Sequence, residues 1–129
     1  MLQRLILACC YLMVAACGRA SAQDADSSNP AHCYAAMNFA KWTFEQGRPR
    51  RDMADQMLAR AAFEMWKVTS SGGSLKSAQA EAVELTRRKG AALKDWDALL
   101  SRCLSAQDSD PRLRALMPFL VSASRQQTN

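Results

Sequence analysis

Chemistry in this chain would have to start from very few residues. It holds one histidine, His32, directly before Cys33. A cysteine and a histidine are the parts of a thiolate nucleophile and its base, but neighbours on a helix point about 100° apart, so this ring does not face that thiol. The acid pairs Asp95 and Asp97, Asp108 and Asp110, and Glu81 and Glu84 would suit general acid–base work or a hard cation. Each has a plainer use. Asp97 falls on a polar helix face, Asp110 is placed to cap a helix, and Glu84 precedes Arg88 by the spacing of a helical ion pair. The sequence contains no HxxxH, CxxC or calcium-loop spacing. The expectation is a protein that is not an enzyme, with no catalytic residue, no metal site and no cofactor.

The remaining chemistry is that of surfaces. Arg48, Arg50 and Arg51 flank Pro49 in a short basic connection, and Arg87, Arg88 and Lys89 end a helix where cations suit the macrodipole. Phe63 and Trp66 fall opposite the main apolar stripe of their helix, flanked by Arg60 and Lys67. Aromatic rings with arginines nearby are what interface hot spots are made of. The candidate partner surface is therefore Phe63, Trp66, Arg60, Lys67, Arg48, Arg50 and Arg51. The alternative is that both rings pack under a neighbouring helix.

The chain has 129 residues, 49% hydrophobic and 22% charged, with 17 Lys and Arg against 12 Asp and Glu. That is one domain of ordinary globular composition. Its beginning reads as a secretory signal peptide: a basic start from Met1 to Arg4, an apolar stretch from Leu5 to Ala16, and Ala20-Ser21-Ala22 as the cleavage site. Val14-Ala15-Ala16-Cys17 overlaps it and resembles a bacterial lipobox, in which Cys17 would carry the lipid. Soluble export is the first reading, membrane anchoring through Cys17 the second. Either places the protein in the periplasm or outside the cell, where a nucleic-acid partner is not expected. Processing would remove Cys9, Cys10 and Cys17. In an oxidising compartment the remaining two, Cys33 and Cys103, then form one disulfide closing a loop of about 70 residues.

Five elements must position these groups. Gln23 to Asn29 reads as a polar leader. Asn29 as cap and Pro30 at the first position open a helix to Gln46, whose arc of about 220° holds Cys33, Ala36, Met37, Phe39, Ala40, Trp42 and Phe44; an arc so wide belongs to a central helix. Asp52 would cap a second helix, from about Met53 to Thr69, with Ala54, Met57, Leu58, Ala61, Met65 and Val68 as its stripe. Ser74 caps a third, Leu75 to Lys89, apolar along Leu75, Ala78, Ala82 and Leu85. Gly90 separates or bends the next, Ala91 to Leu104, with Trp96, Leu99, Leu100 and Cys103 on one face. Asp110-Pro111 starts a short last helix, kinked or stopped near Pro118 and ending its apolar content at Val121. Residues 30–121 are thus an all-α domain, an irregular bundle of four to five short helices stapled by Cys33 to Cys103, with 122–129 a polar tail.

Cys33 opening an Ala-rich first helix, and Leu93-Lys94-Asp95-Trp96 running to Cys103-Leu104 and on to Ser109 and Leu113, resemble the small all-helical periplasmic immunity proteins, which neutralise type VI secretion amidases aimed at peptidoglycan. The resemblance spans two segments, roughly a third of the chain, and gives its function only by analogy. It implies a non-enzymatic inhibitor, often a homodimer, that plugs a secreted toxin's active site with a loop. The basic net charge departs from that pattern and no segment matches an inhibitory loop, so no toxin-contacting residue carries over. The expected function is an exported cell-envelope binding protein whose partner is a protein, most specifically such an amidase toxin. The second reading is a periplasmic stress chaperone or envelope assembly adaptor, with Met53, Met57 and Met65 as adaptable client-binding area.

Overall fold

The computed structural model describes residues 25–47, 51–90 and 93–127. The expected signal peptide with Cys17, the basic connection's Arg48 and Arg50, and the start of the leader lie outside these residues. Among them are five helices and no strand: α1 (Pro30–Gly47), α2 (Arg51–Ser70), α3 (Leu75–Lys89), α4 (Leu93–Asp108) and α5 (Pro111–Gln127). The all-α stapled bundle is what the sequence predicts.

Local chemistry sets most helix ends. The Asn29 side-chain oxygen accepts the Ala31 N–H at 3.0 Å, and Pro30 follows at the position where a missing N–H costs nothing. Ser74 caps α3 by accepting the Ser77 N–H, and Asp110 caps α5 by accepting that of Arg112. The end of α2 is a Schellman turn: the Gly73 N–H donates to the Val68 carbonyl and the Gly72 N–H to that of Thr69, with Gly72 at φ 80°. Gly90, at φ 68°, separates α3 from α4 rather than bending one long helix. α2 already starts at Arg51, so Asp52 lies inside its first turn instead of capping it; there its carboxylate faces the positive end of the helix dipole.

α1 is the central helix, packed against α2, α3 and α4, while α5 lies along α2. The core joins Cys33, Ala35, Ala36 and Met37 of α1 to Ala61 of α2, Ala82 and Leu85 of α3, and Trp96, Leu99 and Cys103 of α4. Cys33 and Cys103 are bonded within it, their Cα atoms 5.6 Å apart. Arg125 near the end of α5 approaches Asp55 near the start of α2, and Arg112 at the start of α5 lies over Trp66 near the end of α2. The two helices therefore run antiparallel.

Three boundaries differ from expectation. α5 continues through Pro118 to Gln127, so most of the expected polar tail is helix. Proline leaves the Arg114 carbonyl without its helical donor, but both residues face solvent, where water replaces the lost bond. Buried Leu113 and Ser124 hold the helix on either side of this point. α4 runs on to Asp108, carrying Gln107 into the interior. The last part of the leader is docked rather than free. The Asp26 N–H donates to His32 Nδ1 at 2.9 Å, the Asp26 carboxylate accepts from the Ser28 N–H and hydroxyl, and Ala25 packs on the core.

Candidate functional site

Phe39 and Trp42 belong to the broad apolar arc of α1, which turns more surface inward than its neighbours cover. Phe39 is covered by the α4 indole: the Phe39 and Trp96 rings stack with centroids 5.1 Å apart, and Trp96 is fixed by donating from Nε1 to the Gly90 carbonyl at 2.9 Å. Trp42 adds a third ring 5.9 Å beyond Phe39 and remains 48% exposed. Between these rings and the end of α3 lies a cleft of about 550 Å³, lined by Ala35, Asn38, Phe39, Trp42, Thr86, Arg87 and Gly90. A cleft of several hundred cubic ångströms, apolar with a few polar groups at its edge, has the character of a ligand site. Val83, one turn before Arg87 on the same side of α3, is 70% exposed and prolongs the apolar surface.

The edge of the cleft is charged. Arg87 meets the Glu84 carboxylate through Nε at 2.9 Å and Nη2 at 2.6 Å, and Arg88 Nε lies 3.8 Å from the same group. The Arg87 hydrogen bonds hold the Glu84 carboxyl below its ordinary range and raise the guanidinium in turn. Lys89 lies over the Trp96 ring at 5.8 Å, a cation–π contact that ties the basic end of α3 to the same row of rings.

The predicted partner surface has a different structure. Phe63 is completely buried, which corrects the expectation that it faces a partner. α2 lies between α1 and α5 and is covered on two sides, so a ring opposite the main stripe still meets a helix. Trp66 keeps an exposed edge, stacks on Phe63 at 5.5 Å and receives Arg112 at 5.6 Å. Arg60 donates to Gln107 Oε1 at 3.2 Å and to Asp108 at 2.9 Å, and Lys67 Nζ meets Glu64 Oε2 at 2.6 Å while lying 5.5 Å over Phe63. Glu64 is itself buried, and its other oxygen accepts from Gln107 Nε2 at 2.7 Å. Arg60 thus joins α2 to the end of α4 and Trp66 meets the start of α5, while Lys67 pairs within α2 over Phe63, which is interior. Arg51 is exposed at the start of α2.

His32 is buried, accepting the Asp26 N–H on Nδ1 and lying with Nε2 3.2 Å from Glu81, so its ring connects the docked leader to α3. Asn29 donates to the same Glu81 oxygen at 2.7 Å. Asp108 and Asp110 do not converge on a common ligand: the first binds Arg60, the second Arg112. Those Arg112 hydrogen bonds lower the Asp110 pKa to about 2. Among the described residues no group of three His, Cys, Asp or Glu side chains is placed to hold a metal, and no helix is long and apolar enough to cross a membrane. Of the methionines proposed as adaptable surface, Met65 is buried and Met57 half-buried, leaving Met53 the more exposed.

Sequence reasoning placed Trp42 in the core, and nothing in the periodicity of α1 separates it from Phe39. The one signal available was the width of the arc, more than one neighbouring helix covers. Comparison with protein-family models, curated proteins and solved structures finds no match.

Proposed function

We propose that this chain is an exported, non-enzymatic binding protein of the cell envelope, most specifically an immunity protein that inhibits a secreted peptidoglycan-targeting toxin. The observation that carries the binding reading is the α1–α3 cleft, where Trp42 stands half-exposed beside Arg87 on helices fixed by a disulfide-linked core. Such a preformed aromatic and cationic surface loses little entropy when a partner docks. Export is supported by the signal-peptide pattern from Met1 to Ala22 and by the Cys33–Cys103 bridge, which persists in oxidising compartments. The narrower immunity reading rests on the resemblance of the Cys33 helix and the Leu93-to-Leu113 segment.

Affinity capture with the disulfide-bonded protein from an exported fraction, read by mass spectrometry, tests this function. The expected result is an exported cell-wall hydrolase that loses activity when the protein is added. Recovery of the chain from the cytoplasm with both thiols free overturns export, and capture of no hydrolase overturns the immunity reading.

A further inference from the structure

We propose that residues 25–29 form a strap over the Cys33–Cys103 bridge, latched by neutral His32 and opened when mild acid protonates that ring. This goes beyond the binding reading and does not rest on it. The strap is already shaped. Its Asp26 carboxylate accepts the Ser28 N–H at 2.8 Å and its Asn29 N–H donates to the Asp26 carbonyl at 3.1 Å, so it is a turn that moves as one piece. The hinge is Asn29, which caps α1 and donates to Glu81 of α3. The strap covers the disulfide: Ala25 packs on the core cluster that contains both cysteines, and the Ser27 carbonyl oxygen lies 3.3 Å from Cys33 Sγ. Cys33 is 1% exposed with that cover in place. Among the described residues, one hydrogen bond ties residues 25–28 to the body of the protein, from the Asp26 N–H to His32 Nδ1 at 2.9 Å.

That bond fixes the state of the ring. A backbone N–H only donates, so Nδ1 keeps its lone pair and the ring's proton sits on Nε2, 3.2 Å from Glu81 Oε1. An imidazolium carries N–H on both nitrogens; the Asp26 N–H then faces a second donor and the latch is lost. Histidine is the side chain that changes charge in mild acid. Three charged groups bear on this one: Glu81 of α3, which favours the imidazolium, the strap's own Asp26 carboxylate, and Arg102 of α4, which acts on that carboxylate. The Asp26 carboxyl is held below its ordinary range, first by the Ser28 N–H, and so stays ionised while the ring titrates. The acid step at the latch is therefore that of the ring.

Two readouts on the disulfide-bonded protein decide this. In nuclear magnetic resonance spectra the Asp26 amide and the His32 ring should shift together as pH falls from about 8 to 5. Over the same interval the bridge should become about fivefold or more easier to reduce with tris(2-carboxyethyl)phosphine, measured against oxidised glutathione in the same solution, as loss of one hydrogen bond changes an opening equilibrium by about that factor. In that reaction the phosphine becomes its oxide, water supplies the oxygen, and the bridge becomes two thiols. His32→Asn puts a non-titrating oxygen in place of Nδ1 and should hold the relative reduction rate at its neutral-pH level throughout. Glu81→Gln keeps an acceptor for Asn29, removes the charge that favours the imidazolium, and should move both transitions to lower pH. Loss of the helical circular dichroism signal over that interval, an Asp26 amide that ignores the ring, an acid rise in reduction that survives in folded His32→Asn, or transitions unmoved in Glu81→Gln overturns the proposal.

Discussion

In the α1–α3 cleft Trp42 is 48% exposed beside Arg87, whereas at the corner of α2, α4 and α5 Phe63 is fully buried beneath Lys67 and next to Trp66. Both places combine large rings with basic side chains, and by residue type they are the same kind of cluster. What separates them is the number of helices that arrive. α2 is covered by α1 on one side and α5 on the other, so its rings and cations are used in holding the corner. Among the described residues, Trp42 faces the end of α3 across the cleft and stays about half exposed. Composition marks a surface as sticky; packing decides whether the protein itself has already used it.

The largest test of this contrast is a pair of truncations. Phe63→Ala should cost about 3 to 5 kcal/mol in denaturant unfolding, the range for an aromatic ring removed from a closed core, while Trp42→Ala should cost about 1 kcal/mol or less. Similar losses from the two would mean that the regions are alike after all.

A smaller effect probes the charge buried at the corner. Lys67→Met leaves the Glu64 carboxylate in the interior with the Gln107 amide alone, and should destabilise by about 2 to 3 kcal/mol. Adding Glu64→Gln in the same chain should restore most of that, because the amide oxygen still accepts from Gln107. A double variant no more stable than the single one would show that the pair is not the reason Lys67 matters.

The smallest effect is electrostatic and lies at the start of α5. The Asp110 pKa is lowered from 3.8 to about 2 by Arg112, so its ionised form favours the folded state above the unfolded value, and that contribution is lost as pH falls from about 4 to 2. Asp110→Asn keeps a capping side chain but no titration. Its melting temperature should fall less steeply than that of the parent between those pH values, with the two close in slope near neutrality. Parallel curves throughout would remove Asp110 from the acid response of the corner.

The all-α class and the local stops were legible in the sequence because their causes are short-ranged, and the Cys33–Cys103 bridge because no other cysteine remained to compete. Asn29-Pro30, Ser74 and Asp110-Pro111 open helices by bonds made within three residues, and Gly72 and Gly90 end them through a backbone conformation that glycine adopts at low cost. Two cysteines at the centres of two apolar stripes need no tertiary information to be paired. The length of α5 was not legible, since the packing of Leu113 and Ser124 on either side of Pro118 outweighs the break that a proline signals. The same holds for the rings. Periodicity gives the direction in which Phe63 or Trp42 points along its own helix, but burial depends on what stands opposite, and that is fixed only when α5 folds back along α2 and α3 packs against α1 with a cleft left beside Trp42.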